Sequence, residues 1–120
     1  MHAVKAGSDI ESWESVCKVD DLIDNIGVCA LVHGRQIAIF RLSGSKNLYA
    51  IDNHDPCSDA NVLSRGIVGD LKGQVVVASP IYKQHFNLQT GQCLEDVSVK
   101  LATHPVRISD GVVQISIRRP

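Results

Sequence analysis

Side chains capable of chemistry crowd into two short stretches, Asp52-Asn53-His54-Asp55-Pro56-Cys57-Ser58-Asp59 and Ser79-Pro80-Ile81-Tyr82-Lys83-Gln84-His85. Imidazole and thiolate both suit zinc and related divalent ions, so His54, Cys57 and His85 form one candidate set if the two stretches meet. A plainer reading makes the two histidines polar loop or edge residues and Cys57 a spare thiol. A Cys57 nucleophile served by His54 or His85 is a further candidate, but no third group can be identified to orient the base. Other signatures of catalysis are missing: no glycine loop opens a long helix, and there is no GxSxG or HExxH. His33, beside a turn, and His104, before Pro105, read as surface or edge residues. Cys17 and Cys29 read as small core residues, and Cys93 as half-buried and inert.

The elements that must position these stretches are mostly strands. Valine and isoleucine dominate the apolar set, and apolar positions recur every second residue more often than every third or fourth. Val28 to Val32 and Gln36 to Leu42 read as a hairpin around His33-Gly34-Arg35, followed by a turn at Ser43 to Asn47 and a third strand, Leu48 to Ile51. Gln74 to Ala78 reads as a buried strand with Gln84 to Leu88 as its partner. Val106 to Ile108 and Val112 to Ile117, joined through Asp110-Gly111, form the clearest hairpin in the chain. Asp20 to Gly27 holds one or two helical turns at most, with Asp20 as start and Gly27 as stop. Asn53 to Gly66 and Ser79 to Lys83 do not fit as strands, and long ordered loops in small domains are commonly functional.

Composition narrows the partners. The 120 residues fit one domain, which we place at residues 13–117, between an N-terminal extension, 1–12, and a frayed tail, 118–120. Twelve basic residues against thirteen acidic ones give a net charge of -1, so no field is present to hold nucleic acid or an anionic membrane. Aromatic residues make up only 4%, which disfavours a stacking platform for single strands. Arg41, Arg65, Lys72 and Lys83 read as a solvated surface. Met1 to Trp13 lacks the apolar core of a secretory signal, the four cysteines are scattered, and no run approaches a membrane span, so the expected location is the cytoplasm with reduced thiols.

The frame Leu48-Tyr49-Ala50-Ile51-Asp52, then a loop, then Val75 to Tyr82, then His85-Phe86-Asn87-Leu88-Gln89-Thr90-Gly91 resembles the Rieske [2Fe–2S] ferredoxin domain, over about Trp13 to Ile117. The resemblance implies a mainly β fold, an antiparallel sandwich or partly open barrel with one short helical turn. Such a centre needs two thiolates on one iron and two imidazoles on the other, from a Cys-x-His loop and a Cys-x-x-His loop. Those positions fall here on Asp55 and Cys57 in the first loop and on Ser79 and Tyr82 in the second, and none of them matches. Asp55, Ser79 and Tyr82 offer hard oxygen where soft sulfur and borderline nitrogen are needed. The implication is the fold without the cluster, and no catalytic, cofactor-binding or metal residue on this chain. Tyr82 is expected to fill part of the vacated volume and to set its hydroxyl against Asp55 or Ser79.

Asn53 to Ser58 together with Ser79 to Phe86 is similar to a cluster-free branch of that family, the small subunits of NAD(P)H-dependent assimilatory nitrite reductases. The resemblance implies a nitrite reductase large subunit as partner, carrying FAD, sirohaem, an iron–sulfur cluster and the NAD(P)H site, and reducing nitrite to ammonia in nitrate assimilation. It leaves this chain a structural or regulatory role, with Tyr82, Lys83, Gln84 and His85 as candidate docking residues. Two other readings stay open: a stand-alone Rieske-type electron carrier, and a small metal- or thiol-binding module built on His54, Cys57 and His85.

Overall fold

The computed structural model describes residues 12–43 and 47–117. The expected extension up to residue 11, the middle of the Ser43 to Asn47 turn and the tail Arg118-Arg119-Pro120 lie outside the described residues. In chain order the strands are β1 (Glu14–Lys18), β2 (Val28–Val32), β3 (Arg35–Arg41), β4 (Leu48–Asp52), β5 (His54–Asp55) and β6 (Ala60–Asn61). They continue with β7 (Ile67–Leu71), β8 (Gln74–Ala78), β9 (His85–Asn87), β10 (Val106–Ser109) and β11 (Val112–Ile115). All pairings are antiparallel, in sheets ordered β1-β11-β10, β2-β3-β4 and β7-β8-β9, with β5 and β6 as a small separate pair. The sheets do not close into a barrel.

The middle sheet explains the stacking. Ile37, Ala38, Ile39 and Phe40 of β3 are all fully buried, which a strand allows only if both faces are covered. Ile37 and Ile39 meet Val113 and Ile115 of the terminal sheet in one core, while Ala38 and Phe40 meet Val77 and Phe86 of the third sheet in the other. Alternate residues of one strand therefore feed two cores.

Three hairpins turn on a residue pair with positive φ at both positions: His33-Gly34, Lys72-Gly73 and Asp110-Gly111. That geometry matches the twist of the flanking strands, and glycine takes it without steric cost. The expected hairpins and the three-strand meander are present. β1 and β7 were not anticipated, because ESVCK and IVGDL are short and only half-buried.

The expected helical segment reduces to a 3-10 turn at Val19–Asp21. Gly27 does not stop a helix: a side chain there would collide with the Ser64 carbonyl and the Phe40 ring, so close approach fixes it. Arg41 is not a free surface cation. Its Nε lies 2.8 Å from Asp24 Oδ1, and Nη2 donates to the Leu22 carbonyl at 2.8 Å. Cys29 is exposed and not a core residue, because β2 is an edge strand and turns it toward Gln36 and Asn53. Cys17 is half-buried against the terminal core, and Cys93 is fully buried.

Candidate functional site

The two polar stretches form loops that meet. The first, residues 53–66, leaves β4 at Asn53, whose side chain is buried and fully used. Its Oδ1 accepts from the Ser64 amide at 2.7 Å, and Nδ2 donates to Gln36 Oε1 at 3.0 Å and faces Cys29 Sγ at 3.6 Å. The loop then makes the β5–β6 pair and a 3-10 turn, Leu63–Arg65, that drives Leu63 into the core shared with Phe40 and Phe86. The second loop, residues 79–84, closes on itself, with the Lys83 amide donating to the Ser79 carbonyl and the Ser79 amide to the Gln84 carbonyl.

Asp55 and Ser79, each from one loop, are both buried and bonded to each other: the Ser79 hydroxyl donates to Asp55 Oδ2 at 2.5 Å. Asp55 also accepts from the Cys57 amide at 2.9 Å and from the Ser58 hydroxyl at 2.9 Å. Burial works to raise its carboxyl, but the donors from Ser79, Cys57 and Ser58 outweigh burial and hold it below the ordinary aspartate range. The carboxylate is thus satisfied by neutral donors. Cys57 is half-buried, and burial first, then the nearby negative groups led by Asp55, push its thiol up, which makes it a poor nucleophile at neutral pH.

Tyr82 does not fill the space between the loops. Its side chain is 61% exposed and makes no hydrogen bond to Asp55 or Ser79, because the closure of Lys83 onto Ser79 throws Ile81 and Tyr82 outward. Lys83 is exposed with φ at 66°, while Gln84 and His85 are half-buried. The Gln84 Oε1 is turned inward, where no donor among the described residues reaches it. His85 pairs through Nδ1 with Glu95 at 2.7 Å, and His54 lies between Asn61 at 3.0 Å and Asp59 at 3.2 Å. Among the described residues, no group of three His, Cys, Asp or Glu side chains could hold a metal ion, so His54, Cys57 and His85 do not converge.

Two features escaped sequence reasoning. His104 is buried and not an edge residue: its Nε2 lies 2.8 Å from Asp52 Oδ1, and Arg35 meets the other Asp52 oxygen at 3.1 Å. Burial works to raise the Asp52 carboxyl, but the bonds to His104 and Arg35 prevail and lower it. A histidine before a proline carries no mark of this, since its aspartate lies 52 residues away. The other is the turn at residues 94–99, held by the Gln92 side-chain amide, which donates to the Val97 and Val99 carbonyls at 3.1 and 3.0 Å. It presents Val97 at 88% exposure beside Glu95, the partner of His85.

A mainly β scaffold of antiparallel sheets with two loops meeting over its core is the architecture of one recognised class. Residues 12–116 match the model of the Rieske-like [2Fe-2S] domain, and the chain belongs to that family. Within it, the chain is homologous to nitrite reductase small subunits. It is 44% identical to the nitrite reductase (NADH) small subunit of Salmonella typhimurium over 106 residues, covering 88% of this chain and 98% of that one. The solution structure of the nitrite reductase [NAD(P)H] small subunit from Erwinia carotovora superposes with a TM-score of 0.76 at 48% identity, over 90% of this chain and 83% of that one. A stretch amounting to 11% of the nitrite reductase [NAD(P)H] large subunit of Klebsiella oxytoca is 38% identical to 86% of this chain.

The residues present do not fit the family's cluster. Asp55 spends its oxygens on the Cys57 amide and two serine hydroxyls, Ser79 gives its proton to Asp55, and Tyr82 is turned outward. No cluster ligand group is present among the described residues.

Proposed function

We propose that this chain is the small subunit of an NAD(P)H-dependent nitrite reductase, with a structural or regulatory role and without a cluster of its own. It serves in the cytoplasm, in the assimilatory reduction of nitrite to ammonia. In this reading FAD, sirohaem, an iron–sulfur cluster and the NAD(P)H site belong to the large subunit, and this chain docks on it through the stretch Tyr82, Lys83, Gln84 and His85, of which Tyr82 and Lys83 are the exposed members. The observation that carries the reading is likeness to a nitrite reductase small subunit along nearly the whole length of both chains. A second support is the Klebsiella oxytoca large subunit, in which a similar stretch is part of the large chain itself. Covalent union of two modules in one relative is the arrangement expected of modules that work in contact.

The donor chemistry at Asp55 and Ser79 disfavours the stand-alone electron carrier. The separation of His54 and His85 onto different carboxylate partners, Asp59 and Glu95, disfavours the metal module. Purification of the tagged full chain from its native cell, followed by identification of what accompanies it, tests the proposal. The expected result is co-purification of a large chain absorbing as flavin and sirohaem, and a colourless small subunit after the two are separated. A reddish-brown small subunit with stoichiometric acid-labile sulfide, prepared without oxygen, would overturn it.

A further inference from the structure

The hydrogen bonds of the described residues contain one direct tie between the first loop, 53–66, and the second, 79–84: the Ser79 hydroxyl on the Asp55 carboxylate. It falls between the two positions at which the resemblance sets one ligand of each loop. A buried carboxylate without donors is costly, so Asp55 must keep its partners wherever the loops go. It takes the Cys57 amide and Ser58 hydroxyl from its own loop and only the Ser79 hydroxyl from the other.

Ser79 is also the base of the exposed tip. Its carbonyl accepts from the Lys83 amide at 3.1 Å, its amide donates to the Gln84 carbonyl at 2.9 Å, and its Oγ faces the Ile81 amide at 3.4 Å. Ile81 and Tyr82 sit on this turn at 45% and 61% exposure, and Lys83 holds a left-handed conformation unusual for a residue with a side chain. Such a conformation persists only where the surroundings determine it.

We propose that the Asp55–Ser79 pair is a latch that positions the Ile81-Tyr82-Lys83 tip, so that Asp55, itself buried, is a positioning residue for docking on the large subunit. The inference rests on the docking reading above, and its test separates the two. Three variants of the full chain suffice: Asp55→Asn, which keeps the shape and removes the charge; Ser79→Ala, which removes the donor; and Ser79→Thr, which keeps it. Amide hydrogen exchange followed by NMR reads the latch in the free chain. The expected result is about tenfold or faster exchange at Cys57, Ile81 and Lys83 in Asp55→Asn and Ser79→Ala, with Ile39 and Phe86 unchanged and Ser79→Thr close to wild type. Affinity for the large subunit reads the consequence. It should fall about tenfold in Asp55→Asn and Ser79→Ala and recover in Ser79→Thr.

Unchanged tip exchange in both disrupting variants overturns the latch. So does acceleration spread evenly over the core, or a loosened tip that binds as well as wild type while Tyr82→Ala binds worse. Should Tyr82→Ala and Lys83→Glu both bind as wild type, the docking reading falls, and exchange at the tip still decides whether Asp55 orders it. If Asp55→Asn does not fold, Ser79→Ala against Ser79→Thr carries the same comparison.

Discussion

The two loops have come to opposite ends. The first is absorbed into the protein: Asn53, Asp55 and Leu63 are buried, and each joins the loop to something beyond itself. Among the described residues the second is hydrogen-bonded to the first only through Ser79, and it turns Pro80, Ile81, Tyr82 and Lys83 into solvent. Two loops able to share a ligand must both present donors to a common centre. Here one has turned inward to hydrogen bonds and packing, and the other outward to a surface. The difference places buried, stabilising contacts in the first loop and exposed side chains in the second.

That division has measurable consequences. Leu63→Ala should have the largest effect, because Leu63 is fully buried among Phe40, Phe86 and Leu88. A loss of about 2–5 kcal/mol in chemical denaturation is expected for such a truncation. A loss under about 1 kcal/mol would show that the loop yields to refill the space, and the first loop would then be no part of the core. Asn53→Ala comes next. It removes the bonds to the half-buried Ser64 amide and to the exposed Gln36 Oε1, and the loss of two such hydrogen bonds costs about 1–3 kcal/mol. A neutral Asn53→Ala would mean that water enters the base of the loop, and that the loop's order is of the same loose kind as the tip's.

Acid sharpens the contrast. Asp52 and Asp55 both have folded carboxyls below the ordinary range, so the unfolded chain binds their protons first. Their contribution is fully present above the ordinary aspartate value of about 3.9 and is lost as pH falls through the lower folded values. Ser79→Ala removes one of the donors that lower the Asp55 carboxyl, so the folded value rises toward the unfolded one. Wild type should therefore be the more stable by about 1–2 kcal/mol at pH 7, and the gap should narrow as the pH drops below 4, read by urea melts at a series of pH values. A gap independent of pH would mean that Ser79 acts on packing and not on the carboxylate.

Much of this was legible in the sequence, for local reasons. Two-residue turns such as Asp110-Gly111 and His33-Gly34 announce hairpins because so few residue pairs accept positive φ twice. The run Gln36 to Leu42 was legible as a strand of the His33-Gly34 hairpin, but not that Ile37 to Phe40 would be covered on both sides. The pairing of Asp55 with Ser79 was half legible: the resemblance brought the two positions together and named hard oxygen donors, yet the ring expected between them was the wrong group. Nothing in Ser79 to Lys83 announces that Lys83 will take a left-handed conformation and expel Tyr82. The His104–Asp52 pair was hidden for another reason. A hydrogen bond to a buried histidine joins residues far apart in the chain, and neither carries a local pattern of alternation or spacing.

The smallest expected effect completes the contrast. A tyrosine packed between the loops would cost about 3–5 kcal/mol on truncation, as large aromatic side chains in cores do. Tyr82 is 61% exposed and hydrogen-bonded to neither Asp55 nor Ser79, so Tyr82→Ala should change stability by less than about 0.5 kcal/mol. Measured in the free chain, a loss above about 1.5 kcal/mol would put the ring back between the loops and erase the division drawn here. A stability unchanged within error, together with weaker capture by the large subunit, is the pattern that only a surface residue used in recognition can give. Exposed aromatic side chains add nothing to the fold that holds them out, and their large apolar area gains only when a partner covers it.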